Sequence, residues 1–170
     1  MKKTKIVLDA DVLIHFSEAN SLHLLPTILS EYEHVVLSAV YDELRREEKL
    51  TIDNIERHFK TLSVIDFSPT GAMLREYAEL IRTRGRGESA CMAYCKYNHD
   101  VIGSSNLKDI RIYCEQNEIT YLTTFDFLYY AIRRGKMTID EAKHFIEAVR
   151  LAGSKLPDMD IETYQSSAAI

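Results

Sequence analysis

Five acidic side chains stand where a fold could bring their carboxylates together. Asp9 and Asp11 close the run KIVLDAD, Glu43 follows HVVLSAVYDE, Glu88 sits in GRGES and Asp109 in SSNLKD. All but Glu88 follow apolar, strand-like runs, and Glu88 opens a helix. In an open parallel α/β sheet the carboxyl ends of the strands share one edge, and ligands bind there. Carboxylates gathered on that edge repel one another unless a cation lies between them. Oxygen donors of this kind suit Mg²⁺ or Mn²⁺, which take one or a few carboxylates and fill their remaining positions with water and substrate phosphate. Such an ion lowers the pKa of a bound water and stabilises charge building on a phosphate. Each acid also has a plainer use. Glu88 and Asp109 suit a helix first turn, where the dipole favours negative charge, and Glu43 suits a solvated helix face beside Arg45 and Arg46. Their joint placement is what points to a site.

The rest of the chain must supply the sheet. Five apolar runs predict strands at 5–10, 34–38, 62–67, 100–104 and 119–124. Helical patterns fall between them: 11–17, SLHLLPTIL with Ser21 as cap, AVYDELRREE carrying Glu43, and 52–60 with Thr51 or Asp53 at its start. Further on come GAMLREYAELIRTR, ESACMAYCKYN, LKDIRIYCEQN and FDFLYYAIRRG. TIDEAKHFIEAVRLAG is the last, with Thr138 and Glu141 spaced as a capping box. Strands alternating with helices predict an α/β fold, a three-layer α/β/α sandwich around a parallel sheet of about five strands. Pro157 begins a tail with no pattern.

Composition sets bounds. At 170 residues, 46% hydrophobic and 28% charged, the chain has the make-up of one ordinary globular domain. Its apolar runs are too short to span a bilayer, and acids interrupt the basic start MKKTKIVLDAD, so a first strand and a cytoplasmic location are expected. A net charge of −5 argues against a general nucleic-acid coat. Basic residues nevertheless cluster at Arg45 and Arg46, at Arg82, Arg84 and Arg86, and at Arg133, Arg134 and Lys136, where they could meet phosphates. Cys91, Cys95 and His99 share a helix face that could hold a soft metal, though a buried apolar face is the stronger expectation.

In order, IVLDADVLIHF, VVLSAVYDEL, GRGESACMAY and VIGSSNLKDI resemble the PIN-domain family of metal-dependent ribonucleases, over roughly Lys5 to Gly153. Asp9 and Asp11 match the acid pair ending the family's first strand. Glu43 matches its second motif, Gly87–Glu88 its third, and Asn106 with Asp109 the Asn-x-x-Asp form of its fourth. Ser105 and Asn106 stand where another branch carries an Asp pair. The resemblance implies a PIN-like nuclease domain over 1–155 followed by a tail, 156–170. It implies phosphodiester hydrolysis of RNA by a metal-activated water, with Asp9, Glu43, Glu88 and Asp109 catalytic. Asp9, Glu88 and Asp109 would hold Mg²⁺ or Mn²⁺, and Glu43 would complete the shell or orient the water. Asp11, Ser104 and Asn106 would support, and Arg45, Arg86 and Lys108 would meet the RNA. A toxin held by an antitoxin protein, or a homodimer, is a further implication. FDFLYY could serve such an interface, but its pattern predicts core.

Two other functions fit part of the pattern. A haloacid-dehalogenase-like phosphatase would use Asp9 as nucleophile, Asp11 as acid, Ser38, Lys108 and Asp126, and leaves Glu43 and Glu88 without a task. A PIN-like module that binds RNA or protein without cutting would be consistent with Ser105 and Asn106.

Overall fold

The computed structural model describes residues 3–170; Met1 and Lys2, at the start of the expected 1–155 domain, lie outside them. Five strands form one sheet: β1 (Lys5–Leu8), β2 (Glu33–Leu37), β3 (Leu62–Ile65), β4 (Val101–Gly103) and β5 (Tyr121–Leu122). The order is β3-β2-β1-β4-β5 and every pairing is parallel. β1 is central, with Ile6, Val7 and Leu8 fully buried, as expected of a strand covered on both faces. The chain moves outward from β1 to β3, then crosses back to β4 and β5. That reversal opens a crevice beside the carboxyl ends of β1 and β4.

The helices are α1 (Ala10–Glu18), α2 (Leu25–Ile28), α3 (Ser38–Tyr41), α4 (Arg46–Asn54), α5 (Gly71–Leu80), α6 (Arg86–Asn98), α7 (Leu107–Gln116), α8 (Thr124–Arg133) and α9 (Ile139–Leu151). A π-type turn, Ile55–Phe59, extends α4. One group, α1, α2, α8 and α9, packs together, and a second is built on α6 with α3, α5 and α7. With the sheet between, this is the expected three-layer α/β/α sandwich.

Each strand ends sooner than its apolar run. The reason is visible at β1: Asp9 turns the chain directly into α1, its Oδ1 accepting from Ala10 N at 2.8 Å. The single helix expected around Glu43 is broken. Asp42 N still bonds Ser38 O, but Glu43 N and Leu44 N reach back only three residues, to Val40 O and Tyr41 O. The helix tightens and stops, and Glu43 lies in a turn. Glu48 then accepts from Arg45 N (3.0 Å) and pairs with its guanidinium, starting α4 afresh. Thr51 and Asp53 therefore lie inside a helix and not at its start. Ser21 caps nothing, since its hydroxyl donates to Ala19 O. Thr138 and Glu141 do form a capping box.

Cys91 and Cys95 lie fully in the core, where burial raises their thiol pKa values well above the usual range, and His99 is turned into the left-handed C-cap of α6. This is an apolar face, as the pattern favoured, with no soft-metal set. Phe125, Phe127 and Leu128 are likewise core. The tail lies against α8: Tyr164 and Ser166 donate to the buried Asp126 carboxylate at 2.7 and 2.6 Å, and Tyr130 donates to Ala168 O. None of these contacts has a local sequence signature.

His34 in β2 is 2% exposed and both ring nitrogens lack a partner. Burial lowers its pKa to about 4. The folded state thus keeps the ring neutral, while the unfolded chain takes up a proton near its ordinary 6.5. The stabilising effect of a neutral ring is intact above pH 6.5 and is lost as pH falls toward 4, amounting to about 3 kcal/mol. Urea melts of wild type and His34→Leu at pH 7 and 4.5 should show the smaller acid loss in the variant. Equal losses would mean that His34 does not contribute.

Candidate active site

At the carboxyl edge of β1 and β4 lies an open cavity of about 520 Å³, lined by Asp9, Asp11, Glu43, Glu88, Asn106 and Asp109, and also by the turn Ile81–Gly85. Sequence positions from 9 to 109 therefore meet in one place. Asp9 is set there by the end of the central strand, its N donating to Gly103 O of β4 at 2.8 Å. Asp11 follows in the first turn of α1. Glu88 lies in the first turn of α6 and Asp109 in that of α7. Glu43 comes from the turn after α3 and is fixed by Gly87 N, which donates to its Oε1 at 2.9 Å. Glycine at 87 leaves room for this arrangement, because a Cβ would fall 2.6 Å from Glu43 Oε2 and displace the carboxylate.

The supporting residues crosslink the acids. Ser104 is fully buried, its Oγ 3.2 Å from Asp9 Oδ2 and 3.5 Å from Asp11 Oδ2. Its one proton is shared between two carboxylates. Ser105 N donates to Asp11 Oδ2 at 2.9 Å. The Ser105 hydroxyl meets Thr124 Oγ1 at 2.6 Å, and Thr124 Oγ1 meets His15 Nδ1 at 2.8 Å. A chain of polar groups thus ties the β4–α7 loop to α8 and back to α1. Asn106 spends both amide hydrogens on acids, at 2.8 Å to Glu88 Oε1 and 2.7 Å to Asp109 Oδ2.

Crowding and burial alter the chemistry of these groups. Asp9 is pushed up to about 7, first by burial and then by the Asp11 charge. Asp11 rises to about 6, mainly through burial, with the Glu88 charge adding. Glu88 rises to about 7 through burial and the charges of Asp9 and Asp109. Burial and mutual repulsion thus disfavour the ionised forms of these three carboxyls, and a nearby positive charge would favour them. Among the described residues, no group of three or more His, Cys, Asp or Glu side chains is placed to hold a metal ion as it stands. A hard ion completed by water and phosphate does not require one. Asp9, Glu88 and Asp109 offer that cavity oxygen donors of the kind a hard ion takes.

Of the cations expected at the site, Arg45 is engaged by Glu48 at 2.7 Å, and Arg86 and Lys108 are exposed in the first turns of α6 and α7 without lining the cavity. Arg82 and Arg84 line it instead. Their cluster was visible in the sequence, but only the α5–α6 turn shows which members face inward. The phosphatase set does not assemble: Asp126 is bound by Thr123 and the tail, and Ser38 Oγ accepts from Phe67 N.

A parallel α/β/α sandwich with carboxylates at its switch point places a ligand site at the sheet's carboxyl edge without by itself naming the reaction. The family described as DUF3368, a PIN domain, matches residues 5–167, and the chain belongs to that family. No curated protein matches the sequence.

Proposed function

We propose that this protein is a divalent-metal-dependent ribonuclease hydrolysing RNA phosphodiester bonds. The observation that carries this is the convergence of Asp9, Glu43, Glu88 and Asp109 from four chain segments on one open cavity. Asp9, Glu88 and Asp109 would hold Mg²⁺ or Mn²⁺. The ion, when bound, supplies a lowered water pKa and charge stabilisation at the phosphate. Glu43, steadied by Gly87 N, is placed to orient a water and accept its proton. Ser104 keeps Asp9 and Asp11 in register. The family resemblance extends the proposal to a toxin restrained by an antitoxin protein, or to a homodimer.

A second function, an RNA- or protein-binding module with weakened catalysis, is favoured by one observation: the Asn106 amide bridges Glu88 and Asp109, where a cation would otherwise be wanted. Manganese separates the two. For the nuclease, millimolar Mn²⁺ raises the melting temperature through mass action and permits cleavage of a fluorescent single-stranded RNA, and EDTA reverses both. No Mn²⁺-dependent shift and no cleavage would overturn the nuclease proposal in favour of the binding module.

A further inference from the structure

The α5–α6 turn lines the cavity that holds the acids, through Ile81, Arg82, Thr83, Arg84 and Gly85. The turn is held in place by Thr83 N and Arg84 N, which both donate to Leu80 O, at 3.2 and 3.1 Å. Its two arginines differ. Arg82 reaches back along the surface to Glu79 at 3.3 Å, with both side chains over 70% exposed. Arg84 is partly buried and makes no ion pair among the described residues. Its side chain makes one hydrogen bond, from Nη1 to Thr83 Oγ1 at 3.2 Å, and its Nε is buried with no acceptor.

That is an unusual condition for a guanidinium beside five carboxylates. Arginines that serve to neutralise acids elsewhere in this fold close onto them, as Arg45 does on Glu48 and Arg134 on Glu31. Arg84 lines the same cavity, near enough for its charge to act on Glu88, with no hydrogen bond or ion pair to it among the described residues. A planar fork with unused donors is matched to an anion with paired oxygens, and phosphate is such an anion. A strand lying in the cavity would place a phosphate between this fork and the acids.

We propose that Arg84 is the residue that grips the RNA phosphate at the cavity, orienting the strand against the carboxylate wall. This rests on the ribonuclease function proposed above. Arg86 and Lys108, exposed outside the cavity, then have at most an auxiliary part.

The test compares wild type, Arg84→Ala and Arg84→Lys on a labelled single-stranded RNA with Mn²⁺, over a range of salt concentrations, with Mn²⁺ affinity measured separately by calorimetry. Arg84→Ala should lower kcat/KM about tenfold or more, and flatten the slope of log kcat/KM against log salt by about 0.7, the share of one single-strand phosphate contact. Mn²⁺ affinity should stay equal or tighten, since a positive charge has left the site. Arg84→Lys should keep the salt slope while recovering only part of kcat/KM, because a point charge replaces a fork. An active wild type whose kcat/KM and salt slope are untouched by Arg84→Ala would overturn this assignment and leave the ribonuclease standing. Loss of Mn²⁺ binding in Arg84→Ala would overturn it in favour of a structural role. A wild type that binds Mn²⁺ and cuts no RNA would remove both proposals.

Discussion

Asp9→Asn is expected to abolish RNA cleavage, by roughly 10³-fold or more, in a protein that is at least as stable as wild type without metal. Loss of a supporting partner around a metal costs about 10–100-fold, and Asp9 is no supporting partner: it ends the central strand and is shared by Ser104 and the acid cluster. The stability effect has the opposite sign, and the direction follows from protonation. The Asp9 carboxyl titrates at about 7 in the fold against 3.8 in its ordinary state. A raised carboxyl pKa means the folded protein binds the proton more tightly than the unfolded chain. Stability is therefore lost as pH rises from about 4 through about 7, by an amount on the order of a few kcal/mol. Asparagine keeps the shape and removes the ionisation. In EDTA at pH 7.5 the variant should melt at or above the wild-type temperature, and its melting should change less with pH. Adding Mn²⁺ should raise the wild-type melting temperature and leave the variant nearly where it was. A variant that still cuts RNA at a tenth of the wild-type rate would show that Asp9 is not the central ligand.

The same pairing of lost activity with kept stability explains how much of the site was legible in the sequence. Asp9 and Asp11 could be found because a buried parallel strand reads as an unbroken apolar run and an acid ending it is conspicuous. β1, β2 and β4 were visible on that basis, and so was the sheet edge. Glu43 was found as a residue but not as a conformation. The periodicity of AVYDELRREE runs straight through the turn that holds it, because the break comes from the tighter bonds of Glu43 N and Leu44 N and from a long-range contact to Gly87. In sequence Asn106 opens an Asn-x-x-Asp motif with a supporting role, at a place where another branch carries an acid. In space it crosslinks two acids eighteen and three residues away; the contact to Asp109 is the Asn-x-x-Asp motif itself, whereas no local pattern encodes the reach to Glu88. Ser105 looked like a second missing acid, yet it ties the loop through Thr124 to His15, across 109 residues from Thr124 to that ring. Among the arginines the sequence offered clusters, and which member turns inward depends on how α5 ends. The rule in each case is physical. Strand cores and a full capping box such as Thr138 with Glu141 are local and announce themselves, whereas polar crosslinks between loops form only once the sheet has set the loops side by side.

Gly87→Ala should test one of those crosslinks with unusual separation of effects, costing cleavage about 10–100-fold and stability little. Gly87 lies in the first turn of α6, where alanine is favoured over glycine by about 1 kcal/mol. The added Cβ would stand 2.6 Å from Glu43 Oε2, 3.1 Å from its Cδ and 3.2 Å from Val40 Cγ2. The first two are the far end of a flexible side chain, which can swing away; Val40 must give by a few tenths of an ångström, at a cost that overpacking places at about 1–3 kcal/mol. Gain and cost leave the fold within about 2 kcal/mol of wild type, while the Glu43 carboxylate is driven from the place where Gly87 N now holds it. If Glu43 orients the attacking water, Gly87→Ala and Glu43→Gln remove the same function by different routes. Each alone should lower kcat by a similar factor, and the double variant should be scarcely worse than either, since the two changes share one target and cannot add. Full additivity in kcat would mean that Gly87→Ala acts by a route other than Glu43, and a Gly87→Ala enzyme as active as wild type would mean that Glu43 can leave its place without consequence and that another group positions the water.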